Sequence, residues 1–138
     1  MARIDELIAR GRTFSFEFFP PKTDTEQDRL EQVLHELEPL NPSFVSVTYR
    51  GGRSSRDRTT NLVANLERET SLNPMAHLIC VAHTRDELVE ILDDFKAAGL
   101  DNVLALGGDP ATDADAIEGE LTYGEELVDL AREVGGFA

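Results

Sequence analysis

Short apolar runs rich in β-branched and aromatic residues alternate along the chain with longer amphipathic stretches. The short runs have the length and composition of buried strands, and the stretches between them repeat apolar residues at helical spacing. The predicted strands are residues 13–19, 43–49, 75–82 and 102–106, with a fifth predicted to begin at 137–138. Because strands recur about every 30 residues, as βαβ units require, the pattern predicts parallel strands joined by helices.

Helix-start signals agree with this division of the chain. Thr23 with Glu26, and Thr84 with Glu87, have the spacing of a capping box, so helices are predicted to begin just after each threonine. Gly99 is predicted to end the third helix in a left-handed conformation. The four predicted helices run from about 24 to 39, from 54 or 55 to 72, from 85 to 98, and over 124–134.

Polar side chains recur on one face of the first two predicted strands. Ser15 and Glu17 share a face because side chains alternate along a strand, and Ser46 and Thr48 share the corresponding face of the next strand. An open doubly wound sheet would bury this polar face under helices, whereas a barrel interior lines an active site at the carboxyl ends of its strands. The predicted fold is therefore α/β of the (β/α)8 TIM-barrel type. A flavodoxin-like domain of four or five strands is the alternative.

The chain length limits how much of such a barrel can be present. The 138 residues are 41% hydrophobic and 29% charged, which fits one domain with one core. Residues 1–138 are thus predicted to form four βα units, half of the usual eight. Half a barrel leaves two unpaired strand edges, so the chain is expected to pair with itself or a partner, or to be a piece of a longer protein.

The net charge and the hydropathy of the chain indicate which partners it can bind and in which cellular compartment it resides. The net charge of −14 argues against attraction to nucleic acid or to an anionic membrane surface. No apolar run approaches the ~20 residues of a membrane span, and the first residues lack the apolar stretch of a signal peptide. A cytoplasmic protein is predicted.

Glu17 is the sharpest candidate for acid–base chemistry. Because Phe16, Phe18 and Phe19 flank it, its carboxylate is expected to be poorly solvated and able to hold a proton near neutral pH. Such a group can act as a general acid. The alternative interpretation is a glutamate on a solvated strand face.

Asp109 and His77 are further candidates. Asp109 follows Gly107 and Gly108 at the end of a predicted parallel strand, where glycines let a ligand approach the backbone. An ordinary loop aspartate or helix cap is the alternative. His77 lies inside a predicted strand, where a core histidine is the alternative to one that contacts a ligand.

Other groups of reactive or charged residues give weaker signals. Arg50, Arg53, Arg56 and Arg58 cluster after the second strand, either to bind a phosphate or carboxylate tail or as surface arginines that balance nearby acids. The acidic loop at 110–122 lacks the EF-hand pattern and the histidines lack ligand spacing, so no metal site is predicted. Cys80, the only cysteine, is predicted to be a buried, inert thiol.

Five segments resemble one known family in order and spacing. They are Phe14 to Thr23 (FSFEFFPPKT), Phe44 to Tyr49 (FVSVTY), Arg56 to Thr59 (RDRT), His77 to Cys80 (HLIC) and Leu104 to Pro110 (LALGGDP). Together they resemble the methylenetetrahydrofolate reductase family. The resemblance covers essentially the whole chain but only the first half of the family's catalytic barrel.

The resemblance implies a flavin enzyme of one-carbon and methionine metabolism, with FAD as cofactor. Such an enzyme passes hydride from NAD(P)H to methylenetetrahydrofolate and gives methyltetrahydrofolate. Glu17 matches the family's general acid, and Asp109 matches an aspartate that helps bind the folate and tunes the flavin. The positions that match the family's flavin site are Thr48, His77, Gly108, Asp109 and Tyr123.

Two departures from the family pattern leave alternatives open. Gly107 stands where relatives often carry arginine, so a flavin-independent variant is one alternative. The second departure is length, because much of the folate and nicotinamide site would belong to the other half of the barrel. A noncatalytic half-barrel that binds a pterin or flavin, or that assembles with a partner chain, is therefore the alternative function. The expected assembly is a homo-oligomer or a pairing with the other half of the barrel.

Overall fold

Four parallel strands alternate with helices in a computed structural model that describes residues 2–49, 53–110 and 117–138, without the side chains of residues 53–55. The strands form one sheet in the order β1-β2-β3-β4, and each neighbouring pair is parallel. The elements are α1 (Ile4–Arg10), β1 (Ser15–Phe18), α2 (Asp24–Leu37), a 3₁₀ turn (Glu38–Leu40), β2 (Phe44–Val47), α3 (Arg53–Glu69), β3 (Pro74–Ile79), α4 (Arg85–Ala97), β4 (Val103–Leu106) and α5 (Gly124–Val134).

The local signals in the sequence have the predicted structural effects. Thr23 Oγ1 accepts a hydrogen bond from the Glu26 N–H at 3.2 Å, and Thr84 and Glu87 exchange the two hydrogen bonds of a capping box. These bonds satisfy N–H groups that a helix start leaves without partners. Gly99 has a φ of +83°, the left-handed conformation predicted after α4.

Two features at the chain ends differ from the prediction. α1 was not predicted, because its seven residues have no side-chain cap and bury no residue. The predicted fifth strand is absent from 137–138, although the Ala138 N–H donates to the Asp101 carbonyl oxygen at 2.6 Å, directly before β4. Residues 137–138 thus make one ladder-like hydrogen bond beside β4, which is too few to form a strand.

Helices cover one face of the sheet. Val45, Val47, Ala76, Leu78 and Cys80 have no exposed surface, and they pack in a single core with apolar residues of the helices. The helical members of that core are Leu34 of α2; Leu62, Val63 and Leu66 of α3; Leu88, Ile91, Leu92 and Phe95 of α4; and Leu127, Leu130 and Ala131 of α5. This burial removes the apolar strand face from water and thereby stabilises the fold.

The opposite face carries the polar residues and remains partly open. Ser46 and His77 lie on it, together with Leu104 and Leu106, whose exposed fractions are both 37%. A flavodoxin-like sheet has its first strand between the second and third and has helices on both faces, so that alternative is wrong. One-sided helical cover over four parallel strands in chain order is the wall of a (β/α)8 barrel, and the predicted fold class is confirmed.

The residues before α1 are held at the amino ends of β3 and β4. The buried Asn102 accepts from the Ile4 N–H at 2.9 Å and donates to the Ala2 carbonyl oxygen at 3.0 Å. Asn73 donates to the same carbonyl oxygen at 2.9 Å. The start of the chain is thus held at the edge of the sheet opposite to the carboxyl ends.

A buried tyrosine–histidine pair joins the carboxyl ends of β2 and β3. The Tyr49 hydroxyl lies 2.8 Å from His83 Nε2, and His83 Nδ1 lies 2.8 Å from the Val81 carbonyl oxygen. Because a carbonyl oxygen can only accept, Nδ1 carries a proton, and in this tautomer Nε2 accepts from Tyr49. Burial raises the pKa of Tyr49 to about 12, which keeps the phenol protonated as this donor.

We expect Tyr49→Phe to lower the free energy of unfolding by about 1–3 kcal/mol, because it leaves His83 Nε2 buried without a donor. Urea denaturation measures the change. The matched control is Tyr123→Phe, which removes a hydroxyl from a ring that is 64% exposed and should change stability by less than about 0.5 kcal/mol. Equal losses in the two variants would show that the hydrogen bond contributes nothing.

Candidate active site

Side chains from three neighbouring strands meet at one carboxylate oxygen. The sheet register places Glu17 of β1 beside Ser46 of β2, and His77 lies on the same face of β3. Ser46 Oγ donates to Glu17 Oε2 at 3.2 Å, and His77 Nε2 lies 3.4 Å from the same oxygen. The structure therefore brings together two predicted site residues, Glu17 and His77, and adds Ser46.

Ser46 was recognised in the sequence only as a residue of the polar strand face. Its bond to Glu17 depends on the register of β1 against β2, which places these two residues side by side. An alternating pattern specifies which face a residue occupies, but it does not specify the partner across the ladder. The signal that could have found the pair is the coincidence of one polar residue near the carboxyl end of each of two adjacent strands.

The solvation of Glu17 differs from the expectation. Its side chain is 57% exposed, whereas Ser46 and His77 beside it are buried. The neighbours Phe16 and Phe18 project from the opposite face of β1, so they do not shield the carboxylate. The expected apolar surroundings of the carboxylate are thus not found in the part of the chain that the structure describes. Glu17 instead lies on a solvent-exposed face, next to buried polar groups.

His77 is held in its neutral form. Burial lowers the pKa of His77 below its ordinary value of 6.5, and the attraction of the Glu17 carboxylate opposes this only in part. Its Nε2 is buried, and although Glu17 Oε2 is near, the two groups are not aligned as a hydrogen bond. The ring is therefore uncharged at neutral pH and presents a polar nitrogen that has no aligned partner among the described residues.

Thr48 supplies a second polar atom of this kind. Its backbone N–H donates to the Phe18 carbonyl oxygen at 2.9 Å, which fixes the residue at the carboxyl end of β2. Its Oγ1 is buried without a hydrogen-bond partner in the described residues. An unpaired buried polar atom costs about 1–3 kcal/mol, so two of them on strands of one small site indicate a place where a ligand or water binds.

Gly108 needs to be glycine for reasons within the protein itself. Its φ is +90°, and a Cβ there would lie 2.6 Å from Val81 Cγ2. Gly107 is also confined, because a Cβ there would lie 3.2 Å from the Thr122 carbonyl oxygen. The segment just before α5 therefore passes close to Gly107 at the end of β4, and it leaves little room for a side chain at this position.

Asp109 and Tyr123 lie at the carboxyl end of β4 and at the start of α5. Asp109 is exposed, and within the described ranges no hydrogen bond or ion pair joins it to Glu17 or to another residue. The Tyr123 ring is also exposed, while its backbone N–H donates to Glu126 at 2.7 Å. That bond and the one from Thr122 hold the pKa of Glu126 below its ordinary value. Among the described residues, no hydrogen bond or ion pair links these two residues to the Glu17 cluster.

Two of the four clustered arginines are engaged with the protein. Arg56 pairs with Glu90 at 3.2 Å and Asp94 at 3.9 Å on α4, and Arg58 donates to the Pro21 carbonyl oxygen at 3.0 Å. These contacts favour the interpretation of Arg56 and Arg58 as structural. Arg50 and the side chain of Arg53 lie outside the described residues.

The remaining sequence predictions have simpler outcomes. Cys80 is buried as predicted, and this burial raises the pKa of its thiol, which keeps it protonated and unreactive. Across 2–49, 53–110 and 117–138, no three of the residues His, Cys, Asp and Glu gather as metal ligands, and residues 111–116 of the acidic loop lie outside this description. None of the described helices is both long and apolar enough to cross a membrane.

The fold and the site together define the class of protein. Four βα units in barrel order, with a carboxylate, a hydroxyl and an imidazole near the carboxyl ends of their strands, form part of a barrel of the TIM type. The sequence model of the family described as Methylenetetrahydrofolate reductase matches residues 3–138. The chain belongs to the methylenetetrahydrofolate reductase family, and the resemblance carried by its motifs is confirmed.

Individual relatives agree with this membership. The chain is 37% identical over 123 residues to a 5,10-methylenetetrahydrofolate reductase of Pectobacterium carotovorum subsp. carotovorum and 38% identical to one of Salmonella typhimurium. Each match covers 89% of the chain and 40% of the relative. A protein of Arabidopsis thaliana named methylenetetrahydrofolate reductase (NADH) 1 is 31% identical over 134 residues, covering 94% of the chain and 23% of the relative. The chain thus spans well under half the length of these relatives.

We expect Glu17→Gln to lower the pKa of His77 further below 6.5, because the substitution removes the negative charge that partly offsets burial. An NMR titration of the His77 ring measures this shift. The control is Glu31→Gln, an exposed glutamate of α2, which should leave the titration unchanged. A His77 pKa that stays constant or rises in Glu17→Gln would show that the two side chains are not electrostatically coupled.

The same pKa difference predicts a pH dependence of stability. Because the pKa of His77 is lower in the folded than in the unfolded protein, the unfolded chain binds more protons in the window below 6.5. The contribution of His77 to the free energy of unfolding should therefore decrease as pH falls from 6.5 toward its folded pKa. Urea denaturation of the protein and of His77→Gln between pH 7 and pH 5 tests this, and a parallel pH dependence in the two proteins would contradict it.

Proposed function

We propose that this chain supplies the first four βα units of an enzyme that reduces 5,10-methylenetetrahydrofolate to 5-methyltetrahydrofolate with NAD(P)H as electron donor. Membership of the methylenetetrahydrofolate reductase family supports this proposal. The observation that carries it is the half-exposed Glu17 carboxylate, anchored by the buried Ser46 near the carboxyl end of a barrel strand. That edge of the barrel is where enzymes of this fold carry out their chemistry.

Glu17 is the proposed general acid. When it donates a proton to a ring nitrogen of the folate, the five-membered ring opens and the methylene carbon becomes part of an iminium. Hydride then adds to that carbon and gives the methyl group, so the substrate gains one proton and one hydride in total. The exposed side of the carboxyl group can reach a substrate, which is the geometric requirement for a general acid.

FAD is the proposed cofactor, and it would carry hydride equivalents between NAD(P)H and the folate. Thr48 and His77 fit a flavin, because the buried Thr48 Oγ1 and His77 Nε2 lack hydrogen-bond partners among the described residues and can donate to acceptors of a flavin ring. Neutral His77 adds no charge to that contact. We assign cofactor binding also to Gly108, which directly precedes Asp109 at the carboxyl end of β4, and to the exposed ring of Tyr123.

Asp109 is proposed to act on the folate and the flavin from the carboxyl end of β4. Its carboxylate is exposed and, within the ranges that the structure describes, makes no ion pair or hydrogen bond, so it is available to a polar ligand. A carboxylate suits the amino and ring N–H groups of a pterin, which are hydrogen-bond donors. Its second proposed effect is electrostatic, since a nearby negative charge disfavours reduction of the flavin to an anion.

Assembly and location complete the proposal. β1 and β4 are the edge strands of the described sheet, and Leu104 and Leu106 on its polar face are partly exposed. Both features support further barrel strands that complete this wall, from the same polypeptide or from another copy. We propose a homo-oligomeric enzyme of the cytoplasm. A noncatalytic half-barrel that binds a flavin or pterin would share the cofactor but would lack turnover, and a visible absorption spectrum with an activity assay on the purified protein separates the two.

In the flavin-loaded enzyme, we expect Glu17→Gln to retain flavin reduction by NAD(P)H but to slow folate reduction by about 10²- to 10⁴-fold, the usual contribution of a general acid. Stopped-flow absorbance measures the two half-reactions separately. Glu31→Gln on the outer surface is the control and should leave both rates unchanged. Full folate reduction by Glu17→Gln would remove Glu17 from the catalytic role.

A further inference from the structure

Ser46 is a buried hydroxyl whose hydrogen bond connects two strands of the site. The residue is only 4% exposed, and its Oγ donates to Glu17 Oε2 at 3.2 Å. Because Glu17 and Ser46 are register partners in adjacent parallel strands, the backbone ladder fixes the position from which the hydroxyl donates. The hydroxyl therefore lies at a constant place relative to the carboxylate.

The two oxygens of the Glu17 carboxyl group have different surroundings. Oε2 accepts from Ser46 and lies near His77 Nε2, whereas Oε1 has no hydrogen bond within the described part of the chain. The Glu17 side chain is 57% exposed, so one side of the carboxyl group is held by the protein and the other remains open. Oε2 is thus the oxygen that the protein holds, and Oε1 is the oxygen that a ligand can reach.

We infer that Ser46 is a positioning residue for the Glu17 general acid: it holds Oε2 and thereby directs the acidic proton to Oε1, toward the substrate. This inference rests on the proposed function. A hydroxyl that donates to Oε2 uses a lone pair of that oxygen and disfavours a proton there, so the carboxyl proton resides on Oε1. When Glu17 gives up the proton, the same hydroxyl continues to donate to the carboxylate.

Holding the side chain is the second effect of this hydrogen bond. A glutamate has three rotatable side-chain bonds, and an exposed one samples several rotamers. One hydrogen bond from a buried, fixed donor selects the rotamers that keep Oε2 at Ser46. His77 cannot replace this restraint, because its Nε2 is not aligned with Oε2 for a hydrogen bond.

The test uses the flavin-loaded, full-length enzyme with Ser46→Ala, Ser46→Thr and the control Ser15→Ala. Ser15 lies on the same face of β1 as Glu17 and is exposed, so its replacement tests loss of a hydroxyl without loss of the anchor. We expect Ser46→Ala to slow folate reduction by about 10- to 100-fold, the effect of losing one hydrogen bond to a charged group, through kcat and not KM. Flavin content and flavin reduction by NAD(P)H should be unchanged.

The conservative variant and a double mutant distinguish positioning from folding. Ser46→Thr keeps the hydroxyl and should recover most of the folate reduction lost in Ser46→Ala, while Ser15→Ala should behave as the unmodified enzyme. In a Glu17→Gln background, Ser46→Ala should cause no additional loss, because Ser46 acts only through Glu17. An additional loss in that background, or an equal loss in both half-reactions, would overturn the inference.

The outcomes also separate this inference from the proposed function. If Glu17→Gln abolishes folate reduction and Ser46→Ala leaves it intact, the positioning role is wrong and the proposed function stands. If Glu17→Gln itself reduces folate at the full rate, the general-acid assignment fails, and the role of Ser46 fails with it. A loss of flavin from Ser46→Ala that Ser46→Thr does not repair would indicate a packing role and would also overturn the inference.

Discussion

Burial of one face of the sheet under α2–α5 is the interaction on which the rest of the structure depends. Val45, Val47 and Leu78 are fully buried beneath helical residues such as Phe95. Since side chains alternate along a strand, the apolar face cannot be buried against helices without directing the other set of side chains to the opposite face. The polar residues of the candidate site thus owe their position to the hydrophobic core behind them.

Only some of the hydrogen-bonding groups on the polar face of the sheet find partners within the described residues. Ser46 and Glu17 form a hydrogen bond, but Thr48 Oγ1 and His77 Nε2 remain without aligned partners in the part of the chain that the structure describes. A core that served stability alone would carry apolar residues at these positions, because unpaired buried polar atoms are costly. Buried polar groups that lower stability in this way are typical of a binding or catalytic site, and family membership agrees with that interpretation.

The described residues form four strands of a barrel wall and not a closed barrel. The inner face of this wall still exposes parts of Leu104 and Leu106, and the relatives that the chain matches are more than twice as long. Closure would bring a further layer of side chains against this face and would change the solvation of Glu17, which is 57% exposed here. Asp109 is likewise exposed, and within the described residues it makes no hydrogen bond or ion pair.

The sequence by itself determined the local elements, the polar strand face and the family. Capping-box patterns in the sequence at Thr23 and Thr84 located two helices, and α5 begins and ends as predicted, because helix signals depend on residues only a few positions apart. Only the tertiary structure decided that Ser46 binds Glu17, that Glu17 is exposed and that Arg56 pairs with α4. Strand register, solvent cover and ion pairing arise between residues about 30 positions apart, and a local pattern does not contain that information.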